Sequence, residues 1–358
     1  MEVKGLYVKV EYADKNITAQ LEPYLTKLAY TDYLKGETPD TLKITLDDSQ
    51  GLFQGPLYPV KGSALYFEFG YSHEDVFKSG KGFMIDAITV SGGGEAGGSS
   101  AGDGPKVTGV VEWTASANLP SHGIHSKATK AWTDTTLEGI AREISQKHKM
   151  DLVFECKKTI SLKRFDQFEQ TDLKTINELT RKYGLVFSLK AGKNRPTMII
   201  ADLDTIQSKP PILKLPRSGC TSYSFEDWAG TNTKGRYARY FDPVKKELVE
   251  FEYERLKGKV KDELAESTVD TLDGQGQQDR AVVREAMEVY AGQHSPNDYE
   301  RKGTINLPGN PSLIAGVVVE LSEDEWLCNA GKWVITQSDH TLTVNEGYKT
   351  KLTLRMFK

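Results

Sequence analysis

Period-two alternation of apolar and polar residues dominates both ends of the chain. Near the N-terminus Val8, Val10 and Tyr12 alternate with polar residues, and Ile17 and Ala19 follow. Leu42, Ile44 and Leu46 alternate with Thr41, Lys43, Thr45 and Asp47, which predicts a strand with one buried face. Leu65, Phe67 and Phe69 predict another, and Phe83, Ile85, Ala87 and Thr89 a fourth. Gly51, Gly55-Pro56, Lys61-Gly62 and Gly80-Lys81-Gly82 supply turns between them, so residues 1–92 read as an all-β domain. The same alternation returns in 300–358: Thr304 and Asn306, then Val317, Val319 and Leu321, then Trp333, Ile335 and Gln337, then Leu342 and Val344, then Leu352, Leu354 and Met356. Pro308 to Pro311, Asn329-Ala330-Gly331 and Glu346-Gly347 interrupt it, predicting four or five short antiparallel strands. Strands that short must close on themselves or on a partner to hide their edges.

Between the two ends the period changes. After a strand over Val107 to Thr114 and a polar loop, Leu137, Ile140, Ala141 and Ile144 fall on one helical face, with Asp134 or Thr135 as N-cap and Glu138 completing a capping box. A second helix begins near Thr171 or Asp172, turns Leu173, Ile176, Leu179 and Tyr183 inward, and stops at Gly184. Leu152, Phe154, Ile160, Leu185 to Leu189 and Met198 to Ala201 predict strands around them. Residues 107–204 are thus expected to form an α+β insertion, entered through a Gly/Ser-rich loop at 93–106. Alternation resumes at Tyr223 and Phe225 and continues to Leu248 to Phe251, so 205–255 is expected to begin a second β domain completed by 300–358. Residues 256–299 read as a charged, Gly/Gln-rich loop and a helix over Gln277 to Gln293.

Composition narrows the function classes. A formal charge of −4 argues against nucleic-acid recognition, which favours a basic surplus. No apolar run approaches the ~20 residues of a membrane span, so no membrane insertion is expected, and the start MEVKGLYVKVEY lacks a signal-peptide pattern. Cys156, Cys220 and Cys328 are odd in number and far apart, which argues against a disulfide framework.

Candidate chemistry is sparse. Gly98-Ser99-Ser100-Ala101-Gly102 fits a nucleophile elbow around Ser100, but that elbow needs a strand before it and a helix after it, and Gly-rich chain flanks this one. His122 and His125 lack a third ligand and sit beside Pro120 and Gly123, so a surface loop is expected rather than a metal site. Asp166 and Asp172 read as core and capping residues rather than a catalytic pair, Asp172 favouring the positive start of a helix. Asp270 to Asp279 lacks the order of a calcium loop. Leu52-Phe53-Gln54-Gly55-Pro56 spells a protease cleavage signal but lies between predicted strands. No catalytic, cofactor-binding or metal-ligating residue is therefore expected, and no cofactor.

Several segments together carry a resemblance. LPGNPSLIAGVVVEL, a Trp-Val-Ile strand, SDHTL and a terminal GYKTKLTLRM are similar to the end of the phage late-control gene D protein family, the baseplate hubs of contractile tails, and to the hub part of type VI secretion spikes. KAWTDTTLEGIAREISQKHKMDLVF and FDQFEQTDLKTINELTRKYGLVFSL resemble the family's paired helix-strand units, and LYPVKGSALYFEFGY with FMIDAITVSG its first barrel. The resemblance implies a mainly β protein with two similar tube-type β-barrel domains and the α+β insertion between them. It implies a non-enzymatic homotrimer joining a six-fold tail tube to a three-fold spike. The implied partners are further copies of the chain, a central spike protein, a tail tube or tube-initiator protein and baseplate wedge proteins. The implied locations are the bacterial cytoplasm during assembly and then the tail particle. The alternative is a tail-associated module that binds or cleaves the cell wall. That would need a carboxylate pair, a Cys-His pair or a zinc set, and the sequence isolates none.

Overall fold

The computed structural model describes residues 6–35, 39–71, 74–80, 82–94, 107–117, 124, 126–157, 159–192, 195–227, 235–242, 247–254, 259–261, 269–273 and 299–357. The first part of the chain forms β1 (Leu6–Tyr12), β2 (Lys15–Asn16), a one-turn helix α1 (Thr18–Leu21), β3 (Leu25–Tyr33), β4 (Thr41–Asp47), β5 (Ala64–Tyr71), β6 (Glu74–Lys78), β7 (Phe83–Gly94) and β8 (Val107–Ala117). Then come β9 (Lys127–Thr136), α2 (Leu137–Lys147), β10 (Asp151–Glu155), β11 (Ser161–Thr171), α3 (Asp172–Lys182), β12 (Val186–Lys190), β13 (Thr197–Ala201) and α4 (Leu203–Ser208). The last part contains β14 (Leu213–Lys214), β15 (Ser222–Asp227), β16 (Gly235–Asp242), β17 (Glu247–Glu254), β18 (Lys259–Lys261), β19 (Val269–Asp273), β20 (Tyr299–Pro308), β21 (Val318–Leu321), α5 (Glu323–Trp326), β22 (Gly331–Thr343) and β23 (Gly347–Phe357).

The protein is mainly β, as the alternation predicts, but its two ends share one 14-stranded sheet. The main path runs β15-β20-β23-β22-β3-β4-β8-β7-β5-β1-β2, and among the described residues it stays open. The join is β3 against β22, antiparallel from Gln337↔Tyr33 to Thr343↔Lys27. The sequence pattern does not reveal β3, because its buried phase reads Leu28, Tyr30, Asp32 and the aspartate masks the alternation. Val107–Ala117, grouped from sequence with the insertion, lies instead between β4 and β7 in this sheet. Its pairing with β7 extends to Gly94↔Val107, so the glycines from 92 to 94 belong to a strand arm.

Two β-bulges account for the errors of phase. One, between Ile85 and Ala87, turns Ile88 rather than Ala87 toward the core. The other, between Ile335 and Gln337, lies inside a single 13-residue strand that reads from sequence as two pieces. An extra residue on one strand shifts the inward phase by one. Trp333 and Ile335 face in before the bulge; Ser338, His340 and Leu342 face in after it.

The apolar side chains gather into separate cores. The first holds Leu28, Tyr30, Leu42, Ile44, Leu46, Phe67, Phe69 and Trp113, together with Leu342 and Tyr348 from the far end of the chain. Phe53, inside the apparent cleavage signal, is fully buried there and packs edge-on against Tyr24 and Trp113. Another core contains Ile305, Trp333, Ile335, Leu352 and Leu354. Gly309 of the LPGNP segment lies flat on Tyr348, where an added Cβ would come within 2.0 Å of the ring.

The insertion has its own core. Leu137, Ile140, Ile144, Ile176, Leu179 and Tyr183 pack onto Phe187, Met198 and Ile200 of the sheet β10-β13-β12. Each helix spans 11 residues, too short to persist alone in water, so this shared face holds them. Thr136, one residue later than expected, caps α2 by accepting from Gly139 N, and Glu138 pairs with Arg142 instead of closing a capping box. Thr171 caps α3, and Gly184 follows its end at φ +67°. The expected helix over 277–293 lies outside the described residues.

Burial separates two residues that the helical pattern treats alike. Ile176 is fully buried, whereas Leu173 is half-buried at the edge of the same core. Ile176→Ala is expected to destabilise the insertion by roughly 2–5 kcal/mol, and Leu173→Ala by less than about 2 kcal/mol. Limited proteolysis measures both: Ile176→Ala opens cleavage within the insertion first, and equal susceptibility of the two variants would contradict this packing.

Candidate functional site

β3 carries a carboxylate on the phase that faces the core. Asp32 is only 2% exposed, and its carboxylate accepts from Lys190 Nζ at the end of β12 and from Ala315 N, at 2.9 Å, just before β21. Asp40, 3% exposed, accepts from the same Lys190 at 2.9 and 3.0 Å and from Tyr33 N at 2.9 Å. Lys190 Nζ also donates to Tyr33 O at 2.7 Å, so the ammonium meets Asp32, Asp40 and a carbonyl with its three donors. One buried ion cluster therefore ties together the N-terminal strands, the insertion and the C-terminal strands.

Apolar packing surrounds it from the same three directions. Leu34, Val186, Ala201, Leu203, Ile206, Val318 and Val334 form a small core of their own. Beside it the turn before β7 presses on the β12–β13 hairpin so closely that a Cβ on Gly80 would lie 1.8 Å from Ala191 O. A cavity of about 430 Å³ opens next to the cluster. Tyr33, Leu34, Val186 and Leu203 line one wall, and Lys302, Thr304, Lys351, Thr353 and Arg355 another.

The charges are unbalanced, with two carboxylates against one ammonium. Burial, and then the charge of Asp32, push Asp40 up to about 7. Burial alone would lower Lys190, but Asp32 and Asp40 outweigh it and hold the ammonium charged. Tyr30 is pushed well above the usual phenol range by burial and by the charges of Asp32 and Asp40. A buried ion cluster of this kind adds little net stability, but losing one member strands the others without partners.

A second buried polar set sits in the first core. His340 is fully buried and stacks on Tyr30. Its Nε2 lies 2.9 Å from Ser338 Oγ and its Nδ1 2.8 Å from Tyr348 Oη. Ser338 donates to Leu313 O, which leaves its oxygen to accept from Nε2–H and leaves Nδ1 to accept from the tyrosine. Burial pushes His340 down to about 4, so the ring is neutral. With no exposed atom, this serine and histidine face no substrate; they satisfy each other inside the core.

The residues singled out in the sequence are not brought together. Asp166 is exposed and pairs with Arg164 at 2.9 Å. Asp172, buried at the start of α3, accepts from Lys147 and Gln167 and lies 2.7 Å from His148 Nε2. Those bonds outweigh burial and lower its pKa. Ser100, His122 and His125 lie outside the described residues. Among the described residues no group of three or more His, Cys, Asp or Glu side chains is placed to hold a metal, and the three cysteines form no disulfide. No described helix is long and apolar enough to cross a membrane. Asp32, Asp40 and Lys190 went unread in the sequence; the available signal was an aspartate on the apolar phase of a strand.

No protein-family model matches the chain, and no curated protein sequence matches it. Solved structures match it nearly end to end. The tail protein from Neisseria meningitidis MC58 superposes with a TM-score of 0.61 at 13% identity, covering 98% of this chain and 96% of that one. The 43 kDa tail protein of prophage MuSo2 from Shewanella oneidensis gives 0.66 at 9% identity, covering 98% of both chains. The E. coli c3393 protein, a type VI secretion component described as similar to T4 bacteriophage tail proteins gp27 and gp5, gives 0.53 at 10% identity over 99% of this chain and 77% of that one. The fold is that of phage tail proteins.

The ion cluster carries a sign that can be measured. Asp40 holds its proton more tightly folded than unfolded, so its contribution to stability is fully present below the ordinary carboxylate range and is lost as pH rises through about 7. The melting temperature of the wild type minus that of Asp40→Asn is expected to fall between pH 5 and pH 8. A difference that is flat or rises with pH would contradict the charge assignment.

Proposed function

We propose that this chain is the structural hub of a contractile injection system, a homotrimeric adaptor that joins a six-fold tail tube to a three-fold spike. The observation that carries the reading is the end-to-end match to tail proteins, in which almost all of each chain is covered. A shared domain alone would leave large parts unmatched. In this reading the assignment is to the late-control gene D family, and the hub acts in the tail particle without catalysing a reaction.

The internal architecture supports it. Two cores, one around Phe67 and Trp113 and one around Trp333 and Leu354, lie along one continuous sheet. We read them as two similar tube-type barrel units. Two such units per chain and three chains give six comparable lateral surfaces, which meet a six-fold ring while true three-fold symmetry is kept for the spike. That geometry requires a fixed angle between the units, and the β3–β22 pairing and the Lys190 cluster supply one. The partners in this reading are further copies of the chain, a central spike protein, a tail tube or tube-initiator protein and baseplate wedge proteins.

Light scattering on the purified protein, alone and mixed with its spike protein, is expected to give a mass near three chains in at least one condition. A monomer in both would overturn the reading. The same preparation is expected to release no soluble fragments from purified peptidoglycan, and release would favour a wall-cleaving module instead.

A further inference from the structure

The cavity beside the ion cluster has a marked charge. Among the described residues Lys35, Lys302, Lys351 and Arg355 line it, and no carboxylate does. Lys302 and Arg355 stand directly opposite each other on β20 and β23. Lys302 and Lys351 form no ion pair among the described residues; Asp339, across from Lys351 on β22, accepts from Gln337 at 3.0 and 3.1 Å. Leu34, Val186 and Leu203 give the same cavity an apolar wall. Its natural occupant is an acidic segment with an apolar tip.

The chain displays such a segment elsewhere. α5 and the residue after it read Glu323-Asp324-Glu325-Trp326-Leu327. Trp326 anchors the turn, buried with its indole N–H donating to Leu215 O at 2.7 Å, and Glu325 accepts from Arg217 N. Glu323 and Asp324 are exposed and have no ion-pair partner among the described residues. Leu327 is 70% exposed and held at φ +51°, a backbone conformation that a leucine rarely adopts. A strained turn that keeps a leucine in solvent beside two unpaired carboxylates matches the cavity in both charge and apolarity.

The turn cannot fill the cavity of its own chain. Trp326 packs with Trp333 and Ile335 on one face of the sheet, whereas the cavity lies on the opposite face with Val334. We propose that the Glu323–Leu327 turn of one copy docks in the Lys302, Lys351 and Arg355 cavity of the next copy, as the contact that closes the trimer. This rests on the trimeric reading above. The two surfaces differ, so the contact is head-to-tail, and a head-to-tail contact forms a ring when its rotation closes.

Charge reversal tests it at a concentration, and with spike protein if needed, where the wild type is a trimer. One variant carries Lys302→Glu and Lys351→Glu, another Glu323→Lys and Asp324→Lys, and a third all four changes; circular dichroism melting checks that each folds. Light scattering is expected to show each two-site variant dissociating at a concentration at least tenfold higher than the wild type, and the four-site variant returning toward the wild-type value. Two-site variants that stay trimeric would overturn the contact while leaving the trimer standing. Dissociation that the four-site variant does not reverse would also overturn it, since the effect would not arise from direct pairing. A wild type that is monomeric with and without spike would remove both the contact and the trimer.

Discussion

One extra residue in β22 fixes how the two halves of the chain meet. Before the bulge the strand pairs with β21 from Val318↔Val334 to Leu321↔Gly331, and its inward side chains belong to the C-terminal core. After the bulge its free edge takes β3 as partner, and Leu342 enters the N-terminal core. A single strand thus serves two cores, and the hydrogen-bond ladder leaves the two units little freedom to rotate about each other. The neutral His340 network follows from the same shift: the bulge turns Ser338 and His340 inward, and Tyr348 and Leu313 satisfy them there.

The alternating strands of each end, the two amphipathic helices and their shared core were legible in the sequence because their inward residues are apolar at a regular spacing. What was not legible has a physical cause in each case. β3 hides because Asp32 occupies its inward phase, where the aspartate is stable only through Lys190 and Ala315 N. The second half of β22 hides because its inward residues are Ser338 and His340. β8 was assigned to the wrong neighbour because strand pairing is non-local, and nothing in VTGVVEWTASA states that its partners are β4 and β7. The junction was invisible because its members, Asp32, Asp40 and Lys190, are separated by up to 158 positions in the chain.

The kinds of interaction at the junction divide the work. Leu34, Val186, Leu203, Val318 and Val334 supply hydrophobic burial, which is non-directional and would tolerate several packing angles. The Lys190 cluster and the β3–β22 ladder are directional, so they constrain the geometry of the junction more tightly than burial does.

Native-state hydrogen exchange tests most directly the claim that the joined strands make the two halves one body. The amides of 27–33 and 337–343 form the ladder at the join. They are expected to exchange as slowly as those of 42–46 and 352–354 in the two cores, in one cooperative opening. Exchange at the join that is much faster than in both cores would contradict the account, because the two halves would then open as separate units that merely touch.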